Sequence, residues 1–239
     1  IYYRTAAGND VLIDSGPGDA VLGKLGKVTP FWDRELELVI LTHPHADHVS
    51  GMVEILKRYK VQTVMLPHAE HNSEVYKTLL SRLEAEKARV IRPRLGQRIF
   101  LDEGNVFDVY YPVLTGFADQ PKDINDVSIV GRLSFGKTNV LLTGDAGRDI
   151  ENFLLRLGLP LEAEVLKVGH HGSRHSSLPE FIKAASPGYA VISVGKNSYG
   201  HPHEEVLGTL KDKDAEVLRT DEHGDIGFDI YPDRVELQN

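Results

Sequence analysis

Short apolar runs recur along the chain, and most of them end at a polar or charged side chain. Runs of this length that are rich in Val, Ile and Leu are typical of buried strands. The runs that predict buried strands are 38–41, 61–66, 165–168 and 190–194. Between them, apolar positions at helical spacing predict helices over 49–59 and 73–89. This alternation predicts an α/β fold, in which the carboxyl ends of neighbouring strands meet at one rim.

Pairs of short strands separated by turn residues predict β-hairpins. Residues 1–4 and 10–14 flank an Ala-Ala-Gly-Asn turn, and residues 128–135 and 138–143 flank a Gly-Lys turn. Further short strands are predicted at 90–91, 98–101 and 106–111, with Gly104 and Asn105 as the turn between the last two. No linker, low-complexity tract or convincing repeat interrupts this pattern, so we expect a single domain over 1–239.

The composition is that of an ordinary globular protein, with 41% hydrophobic and 26% charged residues among 239. The formal net charge of −8 disfavours an extended basic surface, so an anionic substrate would have to be attracted locally. The chain has no cysteine, which excludes disulfides and thiol chemistry but leaves the redox compartment open. It has no apolar stretch of about 18 residues to cross a bilayer. Because Ile1 already lies in a strand-like run, we expect the chain to be a piece of a larger protein.

The strand at 38–41 leads directly into four potential metal ligands, which are His43, His45, Asp47 and His48. His43 and His45 are two positions apart, so both imidazoles can face one side of an extended segment. Asp47 and His48 are adjacent and must diverge, so one pair can bind one ion and the other pair a second. Imidazole and carboxylate suit zinc, manganese or iron, and the lack of thiolates argues against a closed structural zinc site. The cluster therefore predicts a catalytic metal site.

Structural interpretations of the same residues also exist. A single His near a strand end is commonly a surface residue, and Asp47 could be the N-cap of the helix at 49–59. The order of the four ligands is hard to explain in that way. For His68 and His71, which follow the strand at 61–66, the structural interpretation is preferred, and we expect solvated capping residues at the start of the next helix.

The second half of the chain again places candidate ligands after predicted strands, at Asp145, His170, His171 and His201. Each has a structural alternative. Asp145 could be a helix N-cap, His170 and His171 could be a loop pair, and His201 could be a turn residue. In a chain that already carries the first set of ligands, they are better explained as the remaining ligands of the same site.

These ligands predict metal-assisted hydrolysis. Two ions about 3.5–4 Å apart would lower the pKa of a shared water from about 15.7 to about 7 and would hold the oxygens of the bond being cleaved. Lys167, Arg148 and Arg174 lie beside the ligand motifs and could bind phosphate oxygens, or could be ordinary solvated side chains. Lys167 is the strongest candidate because it alternates with two buried residues in its strand. The expected catalytic residues are Asp47, Asp145 and Lys167.

The sequence HPHADH at 43–48 resembles the HxHxDH signature of the metallo-β-lactamase superfamily. The resemblance implies a four-layer αβ/βα sandwich with a site for one or two metal ions. It also implies that Asp145 bridges two metals, that the following Gly-His motif supplies His170, and that Asp14 supports the metal loop through hydrogen bonds. From its sequence context alone, Asp14 is more readily explained as a turn residue.

The chain departs from the superfamily pattern at one ligand. Many superfamily hydrolases have a His before the strand that leads to the bridging Asp, whereas residues 123–128 read Asp-Ile-Asn-Asp-Val-Ser. We expect His201 to replace this ligand, although the sequence does not decide which metal each later His binds. The residues expected to support the site or to contact substrate are Asp14, Asn125, Ser128, His171 and Ser173.

The blocks LIDSGPG, LLTGDA, LKVGHHGSRHSS and ISVGKNSYGHP resemble, in order and spacing, the C-terminal metallo-β-lactamase-like domain of the ComEC DNA-uptake channel. This resemblance covers nearly the whole chain. It implies a nuclease that uses two divalent ions, Zn or Mn, to degrade the non-transported strand of DNA. The membrane-channel domains of a parent protein would be its partners. Its location would be the extracytoplasmic face of the bacterial inner membrane, or the cytoplasm for a free-standing relative.

Three functions fit these observations. The first is a phosphodiesterase that acts on DNA. The second is a metallohydrolase with another substrate, such as a phosphorylcholine ester or a lactone. The third is a metal-stabilised docking domain without catalysis. A β-lactamase is the least expected, because the third His that such enzymes use is absent at the expected place.

Overall fold

A computed structural model describes residues 1–113 and 123–238. The chain divides into two compact units, and each unit is made of two separate stretches of sequence. The first unit contains Ile1–Arg94 and Pro112–Ile129, and the second contains Leu95–Tyr111 and Val130–Asn239. The single domain expected over 1–239 stays a prediction.

The first unit is built on a mixed sheet. Its described strands are β1 (Tyr2–Arg4), β2 (Asp10–Ile13), β3 (Glu35–Ile40), β4 (Lys60–Met65) and β5 (Arg89–Ile91). They lie side by side in that order. β1 and β2 form the predicted antiparallel hairpin, and β2 to β5 are parallel. The strands predicted at 38–41 and 61–66 are confirmed as β3 and β4, with small shifts of their ends.

The described helices of the first unit are α1 (Ala20–Val28), α2 (Ala46–Ile55) and α3 (Glu74–Ala85). α2 begins earlier than predicted, because the N–H of His48 already donates to the carbonyl of His45 at 3.0 Å. Asp47 therefore lies within the first helical turn, and its interpretation as the N-cap is wrong. The N-cap of α3 is Ser73.

One hydrophobic cluster joins the helices and strands of the first unit. Val39 in β3, Val49 and Met52 in α2, and Leu79 in α3 are all fully buried. Val49 and Met52 are three positions apart and therefore share one face of α2. This packing fixes the start of α2 relative to the strand that precedes it.

The second unit contains a larger sheet, whose described strands are β6 (Arg98–Asp102), β7 (Asn105–Tyr111), β8 (Val130–Phe135), β9 (Thr138–Leu142), β10 (Val165–Lys167), β11 (Tyr189–Ile192) and β12 (Glu216–Arg219). They lie in the order β12-β11-β10-β9-β8-β7-β6. β6 to β9 form an antiparallel meander, and β9 to β12 are parallel. A separate hairpin pairs β13 (Phe228–Ile230) with β14 (Val235–Leu237).

The described helices of the second unit are α4 (Arg148–Leu157), α5 (Pro179–Ala185), α6 (Glu204–Lys211) and α7 (Thr220–His223). Gly147 is the N-cap of α4, so the interpretation of Asp145 as an N-cap is wrong. Asn105 belongs to β7 rather than to the turn before it. The strand predicted from residue 128 begins only at Val130, because a short 3-10 turn, Ile124–Val127, precedes it.

Strand register places the candidate ligands of each unit. Ile13 and Ile40 are neighbours on β2 and β3, which brings Asp14 beside the residues that follow β3. Leu142, Lys167 and Val191 are neighbours on β9, β10 and β11, so the segments after these strands start at one edge of the sheet. None of the described helices has the length and apolar composition that crossing a membrane requires.

Candidate metal centre

Two clusters of potential metal ligands lie at these sheet edges. The first cluster, in the first unit, consists of Asp14, His43, His45, Asp47 and His48. The second cluster, in the second unit, consists of Asp145, His170, His171 and His201. Each is described by itself.

The imidazoles of His43 and His45 face the same side of the segment after β3, as their spacing predicts. Nε2 of His43 lies 3.1 Å from Nδ1 of His45. Two nitrogens that bind one tetrahedral metal at about 2.0–2.1 Å are about 3.3 Å apart, so this spacing fits a shared cation. His43 itself is completely buried.

The tautomer of His43 follows from its neighbours. The hydroxyl of Thr42 donates to Oδ2 of Asp14 at 2.8 Å. The same hydroxyl oxygen lies 3.1 Å from Nδ1 of His43 and must therefore accept the proton of that nitrogen. Nε2 of His43 is left with its lone pair, which is the form that binds a metal.

Asp14 holds both the segment after β3 and the first turn of α2. Its φ of +55° places the carboxylate beneath Thr42, whose N–H donates to Oδ1 at 2.8 Å. Its Oδ2 accepts from Nδ1 of His48 at 2.7 Å. Burial acts to raise the pKa of Asp14, but the charge and hydrogen bond of His48 outweigh it, and the net pKa is lowered. In the neutral imidazole Nε2 of His48 carries the lone pair, as in the carboxylate–histidine–metal arrangement of many metal sites.

Asp47 is the exposed member of the first cluster, with 56% of its side chain accessible. Its Oδ2 lies 3.8 Å from Nε2 of the buried His48. A carboxylate in the first turn of α2 is also favoured by the helix dipole. Asp47 and His48 thus present an oxygen and a nitrogen close together at the start of α2.

The loop after β2 packs closely on α2. The N–H and the hydroxyl of Ser15 both donate to the carbonyl of His48, at 2.8 and 2.9 Å. The N–H of Gly51 donates to the carbonyl of Gly16 at 3.0 Å. A Cβ at position 51 would overlap the carbonyl oxygen of Ser15. Gly51 is therefore required for the approach that brings Asp14 to His48, and the sequence analysis did not identify it.

We expect Gly51→Ala to destabilise the protein and weaken its metal binding, because the loop that carries Asp14 must move away from α2. Overpacking of this kind typically costs about 1–3 kcal/mol. Gly23→Ala is the matched control, because Gly23 also lies inside a helix but a Cβ there meets no atom within 4 Å. Thermal unfolding and competition with a chromophoric chelator measure the two effects. Equal melting temperatures and equal metal affinities of Gly51→Ala and Gly23→Ala would contradict this role of Gly51.

His71 also lies near the first cluster. Its ring centroid is 6.0 Å from that of His45, and its Nδ1 is 2.9 Å from the hydroxyl oxygen of Ser73. Burial, followed by the charge of His45, lowers the pKa of His71. Ser73 is the helix cap, so the capping role preferred for His71 does not describe it.

In the second cluster, Asp145 is paired with His171. Asp145 is only 2% exposed, and its Oδ2 lies 3.3 Å from Nε2 of His171. Nδ1 of His171 lies 2.7 Å from the carbonyl oxygen of Ser193 and must donate its proton to it, because a carbonyl only accepts. In the neutral imidazole, Nε2 of His171 then carries the lone pair. The sequence places His171 both among the candidate ligands and among the residues expected to support the site.

His170 faces a different set of neighbours. Its ring centroid lies 5.7 Å from that of His201, and His201 lies 5.0 Å from His203. Burial, followed by the charge of His170, lowers the pKa of His201. The structure thus brings His170 and His201 together, as expected, and adds His203, which the sequence analysis did not single out.

The backbone of the second cluster is strained. His170 (φ 47°, ψ 46°) and His171 (φ 54°, ψ 24°) are consecutive residues in the left-handed region. Each such non-glycine residue costs about 1–3 kcal/mol and persists only where the surroundings fix it. The next residue, Gly172, also has a positive φ, and a Cβ there would overlap Pro202. This turn gives the two neighbouring imidazoles different directions.

Lys167, which the sequence predicts to be catalytic, is buried, and its ammonium donates to the carbonyl of Val168 at 2.7 Å. Ser173 donates its N–H to the carbonyl of His170 at 2.9 Å. Arg148 forms an exposed ion pair with Glu205 at 3.0 Å. These contacts orient Lys167 and Arg148 toward protein groups.

Asn125 and Ser128 belong to the first unit. Both are buried, and the N–H of Ser128 donates to the carbonyl of Asn125 at 3.0 Å. The following residue, Ile129, donates its N–H to the carbonyl of Thr42 at 2.9 Å. Asn125 and Ser128 are therefore linked to the segment that carries His43, and their supporting role stays a prediction.

Comparison with known proteins shows the family to which the chain belongs. The sequence profile of the metallo-β-lactamase superfamily matches residues 2–196. ComE operon protein 3 of Bacillus subtilis is 34% identical over 203 residues, which are 84% of this chain and 25% of that protein. Recombination protein 2 of Haemophilus influenzae is 31% identical over 240 residues, covering 97% of this chain and 27% of that protein. The chain thus spans about a quarter of the length of these relatives.

Solved structures show the same fold. Zn(2+)-bound PqqB from Methylobacterium extorquens superposes with a TM-score of 0.54 at 10% identity, over 91% of this chain and 84% of that one. At this identity the likeness shows the fold alone, and it confirms the predicted α/β metallo-β-lactamase fold. The chain therefore belongs to the metallo-β-lactamase superfamily, and over most of its length it is similar to the ComEC-type competence proteins.

Proposed function

We propose that this protein is a metal-dependent phosphodiesterase that degrades DNA during DNA uptake. The observation that carries the proposal is the state of the imidazoles in the two clusters. His43, His48 and His171 each have Nδ1 beside an oxygen of the protein, so that in the neutral imidazole the lone pair that can bind a cation is on Nε2. Histidines whose Nδ1 is hydrogen-bonded to an oxygen of the protein are typical of metal sites.

The donor set fits divalent ions of the zinc and manganese type. It contains only imidazole and carboxylate groups, and the chain has no cysteine. We propose that each of the two clusters provides ligands for divalent metal ions, as the superfamily resemblance implies. The proposed ligands are His43, His45, Asp47, His48, Asp145, His170, His171 and His201.

Metal ions bound by these residues would polarise the phosphate and lower the pKa of a water ligand to about 7. The protein's part is to hold the ligands. Asp14 fixes the tautomer of His48, and the Ser193 carbonyl fixes that of His171. Asp47 is the solvent-accessible carboxylate of the first cluster, so we assign to it the proton of the attacking water.

DNA is proposed as the substrate because the relatives are named as competence and recombination proteins. With a formal net charge of −8, the protein has to attract phosphate locally. Lys167 is the proposed basic residue, although its present hydrogen bond to Val168 means that it would have to reorient. Single-stranded DNA and the other domains of a longer parent protein are the proposed partners, at the extracytoplasmic face of the inner membrane.

Cleavage of end-labelled single-stranded DNA in the presence of Mn²⁺ or Zn²⁺ tests the proposal. We expect cleavage that requires added metal and is lost in Asp47→Ala. Asp149→Ala is the matched control, because Asp149 is also an exposed carboxylate in the first turn of a helix. It should cleave DNA like the unmodified protein.

Bis-p-nitrophenyl phosphate separates the alternatives. Hydrolysis of this ester without cleavage of DNA would reject DNA as the substrate and favour a metallohydrolase of another specificity. Metal binding without hydrolysis of either substrate, with Asp47→Ala mainly lowering the melting temperature, would favour a docking domain.

A further inference from the structure

Glu151 is a buried acid on α4 that no step of the proposed reaction uses. It is 1% exposed, and its carboxylate faces the loop of residues 169–178, which carries His170 and His171. Oε1 accepts from the N–H of Ser177 at 2.6 Å, and Oε2 accepts from the N–H of Leu178 at 2.8 Å. Hydrogen bonds to an ionised carboxylate are about twice as strong as neutral ones.

The far end of the loop is linked to the histidines through Ser176. The hydroxyl of Ser176 donates to the carbonyl of Gly169 at 2.9 Å and to that of Ser173 at 3.0 Å. Ser173 in turn donates its N–H to His170. Glu151 therefore holds Ser177 and Leu178, which directly follow Ser176 in the chain. Ser176 in turn binds the backbone on both sides of the pair formed by His170 and His171.

The same helix also fixes the segment of Asp145. α4 begins at Arg148, whose N–H donates to the carbonyl of His175 in the loop at 2.9 Å. The N–H of His170 donates to the carbonyl of Gly144, next to Asp145, at 3.3 Å. The first turns of α4 are thus a common anchor for Asp145 and for the histidine loop.

The loop that Glu151 contacts requires a carboxylate at this position. Ser177 and Leu178 present adjacent N–H groups, and only a carboxylate offers an acceptor oxygen to each; a carboxamide offers one oxygen and one NH₂. The left-handed backbone of His170 and His171 also needs surroundings that fix it. Burial raises the pKa of Glu151 to about 7, so the fold retains an acid that is costly to ionise.

We propose that Glu151 is a positioning residue, which holds the 169–178 loop so that His170 and His171 point at their ligand positions. This inference rests on the proposed metal centre but not on DNA as its substrate. Glu151 acts through the backbone of Ser177 and Leu178 and does not touch the metal or the reacting atoms. Its loss should therefore weaken metal binding in a protein that is still folded.

Metal affinity, measured by chelator competition with Zn²⁺, tests this role in Glu151→Gln. We expect affinity to fall by about 10–100-fold, as for other residues that orient metal ligands. Amide hydrogen exchange of the metal-free protein should become faster at Ser177, Leu178 and His170. Glu180→Gln is the matched control, because Glu180 is exposed in the first turn of the next helix. The Zn²⁺ affinity of this variant should equal that of the unmodified protein.

Glu151→Asp is the second variant, because it keeps both oxygens on a shorter side chain and should have intermediate affinity. If Glu151→Gln does not fold, Glu151→Asp carries the test. Unchanged Zn²⁺ affinity in a folded variant would overturn the positioning role. An unmodified protein that binds Zn²⁺ tightly but leaves DNA intact would instead reject the proposed substrate, and the loss of affinity in Glu151→Gln would still support the role.

Discussion

Asp145→Asn is expected to abolish hydrolysis without unfolding the protein. Asp145 is buried, and its Oδ2 faces Nε2 of His171 at 3.3 Å, so the carboxylate is directed at a potential ligand. Asparagine has nearly the same shape, but it lacks the charge that would bind a cation. Loss even of a residue that only orients a ligand costs about 10–100-fold in metal affinity or activity, so we expect at least about 100-fold here.

Metal-dependent cleavage of bis-p-nitrophenyl phosphate, metal content and thermal unfolding together measure this effect. The melting temperature of the metal-free variant should stay close to that of the unmodified protein, since a buried charge is removed rather than introduced. Asp149→Asn provides the same chemical change at an exposed position four residues further along. An unaltered turnover in Asp145→Asn would remove Asp145 from the site.

The strands and the segments that carry the candidate ligands could be predicted because both depend on local sequence patterns. The apolar runs before His43, Asp145 and His170 have strand lengths and end at polar groups. In parallel sheets such strand ends lie at one edge, so the pattern also predicted which candidate ligands lie together within each unit. The fold class followed from the alternation of strands and helices together with the HPHADH signature.

The direction of the later histidines could not be predicted, because it depends on backbone angles that no local pattern indicates. The sequence predicts His170 as a ligand and leaves His171 open between a ligand and a supporting residue. Both residues adopt left-handed angles, and it is His171 that faces Asp145. Left-handed backbone is uncommon for residues other than glycine, although histidine adopts it more often than most, so the sequence favours a different geometry at both positions.

Contacts between distant parts of the chain explain the residues that were missed. Gly51 is one glycine within a helix, and only the position of Ser15 shows why a side chain cannot fit there. Glu151 is one acid in a charged helical segment, and its burial depends on the loop that folds over it. His71 approaches His45 only because β3 and β4 are neighbours. Such contacts leave no periodic signal in a single sequence.

Asp14→Asn is expected to weaken metal binding by about 10–100-fold, because His48 loses the carboxylate that fixes its tautomer. Asparagine tolerates a positive φ, so the change isolates the carboxylate from backbone strain. One oxygen can still accept from the N–H of Thr42, but the new NH₂ cannot accept from His48. A buried donor left without its acceptor costs about 1–3 kcal/mol.

The loss of stability in Asp14→Asn should depend on pH in a defined direction. Because the folded pKa of Asp14 lies below its ordinary value of 3.8, its ionised form stabilises the fold above that pH. This contribution disappears as the pH falls through the folded pKa. Urea unfolding of the metal-free protein should therefore show the largest difference between variant and unmodified protein near neutral pH, and a smaller one in acid. Asp19→Asn, an exposed carboxylate beyond the same loop, should show little difference at either pH. A difference for Asp14→Asn that is constant with pH would contradict the ionised contact between Asp14 and His48.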